Sequence, residues 1–194
     1  MARNTDPTRI EKIHQATMHM VVKNGYGGAS VSSIAREAGV AEGYLYRFYK
    51  GKAELVNDLF FKVLSEVANH MEEVLQRSQT PEEVLDELLD QMLKLTHTTP
   101  EKIMFLYKLM HDHTFRMEDN LRDRIFHICS SFRKLGVKSG QMDPAISEEN
   151  IYLLCVAYPI TFINSRIKGL FYTHKLDSEE LSTVKALILK SLKK

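Results

Sequence analysis

Residues 25–55 read GYGGASVSSIAREAGVAEGYLYRFYKGKAEL, and the spacing within this stretch decides the fold. Ser30 stands where a hydroxyl can accept from the first free backbone N–H groups of a helix, so a helix is predicted from Val31 to Ala38. Gly39 permits a tight turn, and a second short helix follows from about Ala41 to Phe48. Ile34, Ala35, Ala38, Val40, Leu45 and Phe48 supply a small core that sets the angle between the two, giving a helix-turn-helix. The side chains left outside are Ser30, Ser32, Ser33, Arg36, Glu42, Gly43, Tyr44, Tyr46 and Arg47. Hydroxyls, rings and cations of this kind serve phosphate and base-edge contacts.

Upstream, Ile10, Ile13, Ala16, Met20 and Val21 mark one face of a helix from about Thr8 to Asn24, which Gly25 stops. Downstream, Lys52 opens a long helix to about Arg77, with Leu55, Leu59, Val63, Val67, Met71, Val74 and Leu75 at helical spacing. Further helices are predicted over 81–97, 100–112, 118–137, from Ser147 to about Tyr172, and from Asp177 or Ser178 to the end. No period-two alternation argues for a sheet. The expected fold is all-α, about nine helices in total: an N-terminal three-helix helix-turn-helix DNA-binding domain over 1–56 and a larger C-terminal helical bundle over 57–194.

The charges of the 194 residues nearly cancel, 26 Lys and Arg against 25 Asp and Glu, which excludes a polybasic chain. The balance hides an asymmetry. Residues 1–56 hold eight cations and five carboxylates, and the remainder 18 and 20. Cys129 and Cys155 lie in apolar stretches, which suits buried thiols in a reducing compartment. Met1 to Thr8 is polar, without the core of a signal peptide, so a cytoplasmic location is expected. The longest apolar stretch, Ile151–Ile163, is too short for a membrane span.

The 25–55 segment resembles the tetracycline-repressor-type (TetR) family of bacterial transcriptional regulators. The resemblance rests on Gly25-Tyr26, Ser30, Ile34-Ala35, Ala38-Gly39-Val40, Gly43, Leu45-Tyr46, Phe48-Tyr49, Lys52 and Leu55, and covers about the first 56 residues. It implies that Tyr46 and Lys52 contact phosphates and that Glu42, Gly43, Tyr44 and Arg47 occupy recognition-helix positions. Three residues depart from the family pattern. Ala41 replaces a capping Ser or Thr, Glu42 brings a carboxylate toward DNA, and Tyr44 is a ring able to pack on a thymine methyl or a sugar. Phe48 and Tyr49 read as aromatic core. Arg3 and Arg9 form either a minor-groove arm or a solvated one.

Beyond the head, Ala157, Thr161, Ser165 and Gly169 form a narrow stripe at a spacing of four, and Leu181, Val184, Ile188 and Leu192 share a face of the last helix. Together they predict the interface of a homodimer, matching a palindromic double-stranded operator. Met92, Phe105, Tyr107, Leu109, His113, Phe126, Phe132, Tyr158 and Phe162 are candidates for lining a pocket for a lipophilic or aromatic effector, with plain core as the alternative for each. Pro159 should kink its helix and free a carbonyl.

His111-Asp112-His113 invites a metal-dependent enzyme reading, but adjacent helical positions diverge by about 100° and cannot converge on one ion. No phosphate loop, catalytic triad order or paired-cysteine motif appears, so neither enzyme, cofactor nor metal is expected. The expectation is a ligand-responsive repressor. The alternative is a sequence-tolerant architectural DNA-binding protein without ligand control.

Overall fold

A computed structural model describes residues 7–172 and 175–193; Arg3, the outer half of the suggested arm, lies outside them. Among the described residues nine helical rods occur and no strand, in agreement with the all-α expectation. They are α1 (Pro7–Gly28), α2 (Val31–Glu37), α3 (Glu42–Leu45), α4 (Lys52–Arg77), α5 (Pro81–Thr98), α6 (Pro100–Met110) and α7 (Asp119–Lys138). The eighth, α8, is continuous over 148–167, and α9 spans Ser178–Leu192.

Their ends follow from local chemistry. Ser30, Thr80, Ser147 and Asp177 each accept a backbone N–H from the residue three further on, so the helices after them start where a side chain satisfies the first free donors. α1 runs one turn past the predicted stop, with non-helical backbone at Gly25. α8 ends earlier than predicted, at Ile167. Gly169 takes a φ of 64° and donates to the Arg166 carbonyl while Leu170 donates to that of Ser165, a paired closure that needs a left-handed residue.

The middle of α8 widens. Leu153–Ala157 forms a π-helical turn between two α segments, Glu148–Tyr152 and Tyr158–Ile167, and Tyr158 N–H bonds the Leu153 carbonyl. Pro159 lacks an N–H, and its ring would crowd the carbonyl of Cys155 in a regular helix. The wider turn relieves that crowding, so the predicted kink is realised as a π-bulge.

The chain packs as two units. The first holds residues up to Val63 together with Met104–Met117. Its core is built from Ile13, Val21, Ile34, Leu45, Leu55, Val56, Phe60, Phe105, Leu109 and Phe115. Phe60 meets the rings of Phe105 and Phe115 edge-on at centroid distances of 6.3 and 5.0 Å. The second holds Leu64–Ile103 and Glu118–Lys194. There α9 packs on α5 and on the π-turn of α8.

That packing corrects an expectation about the interface. Leu181, Val184 and Ile188 are 3%, 1% and 1% exposed within the single chain, so they build this unit's own core and are not free to face a partner. Gly169 likewise serves as a helix terminator, outside the rod whose stripe it was to extend. On α8, Ala157 and Ser165 are half-buried and Thr161 is exposed. The large apolar side chains that α8 and α9 do present outward are Leu153, Ile167 and Leu187.

Candidate nucleic-acid interface

The helix-turn-helix forms where the spacing places it. Ser30 and Ser33 make a reciprocal capping box: Ser33 N–H donates to Ser30 Oγ at 3.1 Å and Ser30 N–H to Ser33 Oγ at 3.0 Å. Their hydroxyls therefore hold the start of α2 first. Gly39, at φ 67°, donates to Arg36 O while Val40 donates to Ala35 O, closing α2 and turning the chain into α3. Ile34, Ala35 and Leu45 are buried and fix the two helices; Ala38, Val40 and Phe48 are half-buried. At Ala41 no side chain caps α3, as its methyl implied. α3 itself is one turn, Glu42–Leu45, shorter than predicted, and continues as turns to Tyr49.

The outward face carries Ser30, Ser32, Arg36, Glu42, Gly43, Tyr46 and Arg47, all exposed, with Ser33, Tyr44 and Lys52 half-buried. Tyr44 also makes contacts within the head. The guanidinium carbons of Arg9 and Arg47 lie 5.7 and 5.4 Å from its ring centroid, and Phe48 meets the ring edge-on at 5.1 Å. A ring engaged in this way is a platform for cations within the head itself. Lys52 is anchored too. Its ammonium donates to the Tyr26 carbonyl at 2.8 Å and lies 4.4 Å from the Tyr26 centroid.

Behind this face lies a polar contact that the spacing did not reveal. Tyr49 O–H donates to Asp58 Oδ2 at 2.8 Å, and His14 Nε2 sits 3.1 Å from the same phenol oxygen. With the phenol proton committed to the carboxylate, His14 donates through Nε2, and its buried Nδ1 has no hydrogen-bond partner. Burial, followed by the Lys62 charge, lowers the His14 pKa below 6.5, while burial and Asp58 raise that of Tyr49. Tyr49, expected as aromatic core, is thus a hydrogen-bonded strut. The signal in the sequence was His14 itself, a polar residue beside Ile13 on the apolar face of α1.

The predicted effector residues are divided between the two units. Phe105 and Leu109 are core of the first unit, while Met92, Phe126, Phe132, Tyr158 and Phe162 belong to the second. Phe126 is 53% exposed, and His113 is exposed at the surface. His111 and Asp112 are used locally: His111 Nδ1 lies 2.8 Å from Tyr107 O, and Asp112 accepts from Thr114 N–H at 2.9 Å and from its hydroxyl at 2.6 Å. Those Thr114 bonds hold the Asp112 carboxyl below its ordinary pKa.

A short recognition helix on a two-helix scaffold, joined to a helical bundle, defines an all-α helix-turn-helix regulator. Residues 13–59 match the family model of bacterial regulatory proteins, tetR family. The chain is 34% identical over 74 residues to the fatty acid metabolism regulator protein of Bacillus subtilis, a match spanning 38% of each chain. In fold it is similar to a TetR family transcription regulator from Marinobacter aquaeolei, with a TM-score of 0.75, 18% identity and 95% of each chain covered. It is also similar to FadR from Bacillus subtilis, solved in complex with stearoyl-CoA, with a TM-score of 0.66, 19% identity, and 94% and 96% of the two chains covered. The match places residues 13–59, within the head described above, in the tetR family of bacterial regulatory proteins.

Proposed function

We propose that this chain is a repressor that binds a roughly palindromic operator as a homodimer and is released by a lipophilic effector. The observation that carries the reading is the exposed face of α2 and α3, where cations and a phenol surround a buried Leu45 pin. Residues 1–56 are the reading head and 57–194 the sensing and dimerising body. Ser32, Arg36, Glu42, Gly43, Tyr46, Arg47 and Lys52 are the proposed DNA contacts, with Ser30 and Ser33 contributing the helix start they cap. Two heads suit two half-sites about 34 Å apart. The chain acts in the cytoplasm, and no helix of the described residues is long and apolar enough to cross a membrane.

A long acyl thioester is the proposed effector class, supported by the likeness to a structure that holds stearoyl-CoA. It would act by favouring a state in which the two heads no longer fit both half-sites. No catalytic role is proposed. The test is selection from a random duplex library by the full chain, followed by release with stearoyl-CoA. Enrichment of a palindrome and its release support the reading; enrichment of no sequence overturns it.

A further inference from the structure

We propose that Tyr44 is a positioning residue that holds Arg9 and Arg47 as a paired cation for the DNA backbone. The proposal rests on the DNA-binding reading above and assigns the ring a part in it. Arg9 comes from α1 and Arg47 from the turn after α3, so the two charges are 38 positions apart in sequence. Their guanidinium carbons nevertheless both lie within 5.7 Å of the centroid of one half-buried phenol ring. Like charges repel, and the negative face of an aromatic ring offsets that repulsion. Phe48 fixes the ring by its edge contact, and Arg47 also lies 5.9 Å from the Phe48 centroid.

The ring contact leaves a second effect. A contact with a ring offers a guanidinium no hydrogen-bond acceptor, so it does not itself satisfy the N–H donors that a phosphate accepts. A long side chain already held in place loses less freedom on binding than a mobile one. Tyr44 therefore raises the contribution of two charges without carrying one, and ties α1 to the recognition helix through them.

The test reads the salt dependence of binding to a labelled mixed-sequence duplex of about 30 base pairs, across a KCl series. Tyr44→Leu changes no charge. It should nevertheless weaken low-salt binding by about tenfold and flatten the salt slope by about one or more, because the arginines no longer meet phosphates. Tyr44→Phe keeps the ring and should behave as the wild type. An unchanged slope in Tyr44→Leu, or a Tyr44→Phe protein as impaired as Tyr44→Leu, overturns the proposal. Where Tyr44→Leu loses its helical circular dichroism, Arg9→Gln carries the test: it should flatten the slope by about one, and an unchanged slope overturns the assignment. A wild-type chain that binds no duplex defeats the DNA-binding reading and this proposal with it, a result distinct from normal binding with an unchanged slope.

Discussion

The ammonium of Lys52 donates to the backbone carbonyl of Tyr26 at 2.8 Å while lying 4.4 Å from the centroid of that residue's own ring. The contact joins the first residue of α4 to the last turn of α1. It spends one of three ammonium protons and leaves the others for a phosphate. Lys52→Ala should therefore weaken duplex binding almost irrespective of base sequence and flatten the salt slope by about one. It should also cost about 1 kcal/mol of stability through the lost tether. Salt-dependent binding and chemical denaturation check both; normal binding at every salt concentration removes Lys52 from the interface.

His14 gives the head an acid limb. Its pKa is lowered in the folded chain by burial first and by Lys62 second, against the opposing pull of Asp58 and Glu11. The unfolded chain then binds the proton more readily. The stabilising contribution is fully present above the unfolded value of 6.5 and is lost as pH falls below it. Thermal unfolding of the wild type should drop between pH 7.5 and 5.5 by more than that of His14→Gln. Equal drops in the two proteins would show that the histidine plays no part.

The two neighbours Leu187 and Ile188 should respond in opposite ways. Ile188 is 1% exposed on the side of α9 packed into its own unit, and Leu187 is 50% exposed. Ile188→Ala should cost about 2–4 kcal/mol of stability, since a buried side chain leaves a cavity. Leu187→Ala should change monomer stability by less than about 0.5 kcal/mol. If the outer face of α9 meets a second copy, sedimentation of Leu187→Ala shifts toward the 22.3 kDa monomer. An Ile188→Ala protein as stable as the wild type would contradict the burial described for α9.

Gly136 is a steric keystone of α7. A methyl at this position would stand 2.8 Å from both the Cβ and Cε of Met142 and 3.2 Å from Pro81 Cγ. Cε is the mobile end of a side chain and can yield; the Met142 Cβ and the Pro81 ring move only with backbone. Gly136→Ala should destabilise by about 1–3 kcal/mol, the range of an overpacked core, despite the helix preference of alanine. Adding Met142→Ala should recover little, because the Cβ contact persists. Denaturation midpoints of the two variants check this.

The reading head was legible residue by residue because its determinants are local. Ser30 three positions before Ser33, Gly39 at the turn and Leu45 at the pin each act within a few residues of themselves. The faces of Tyr44 and Lys52 were not legible. Their partners, Arg9 and Tyr26, sit 35 and 26 positions away and are brought close only by the packing of α1. Apolar spacing marks which side chains are buried, and Phe105 and Met92 are both buried, one in each unit; it does not mark which of them line a pocket.

α9 makes the same distinction. Leu181, Val184, Ile188 and Leu192 recur at helical spacing, so an apolar face was determined by the sequence alone, because side chains three and four apart fall on one side of a helix. Whether such a face meets its own chain or another is a matter of what lies opposite. Tertiary structure decided it by setting α5 against that face. The sequence by itself determined the helices, their caps and the helix-turn-helix, each governed by forces that act over a turn or two. Only the folded chain decided which rings hold which cations and which apolar faces are already covered, because those depend on distances that no local rule specifies.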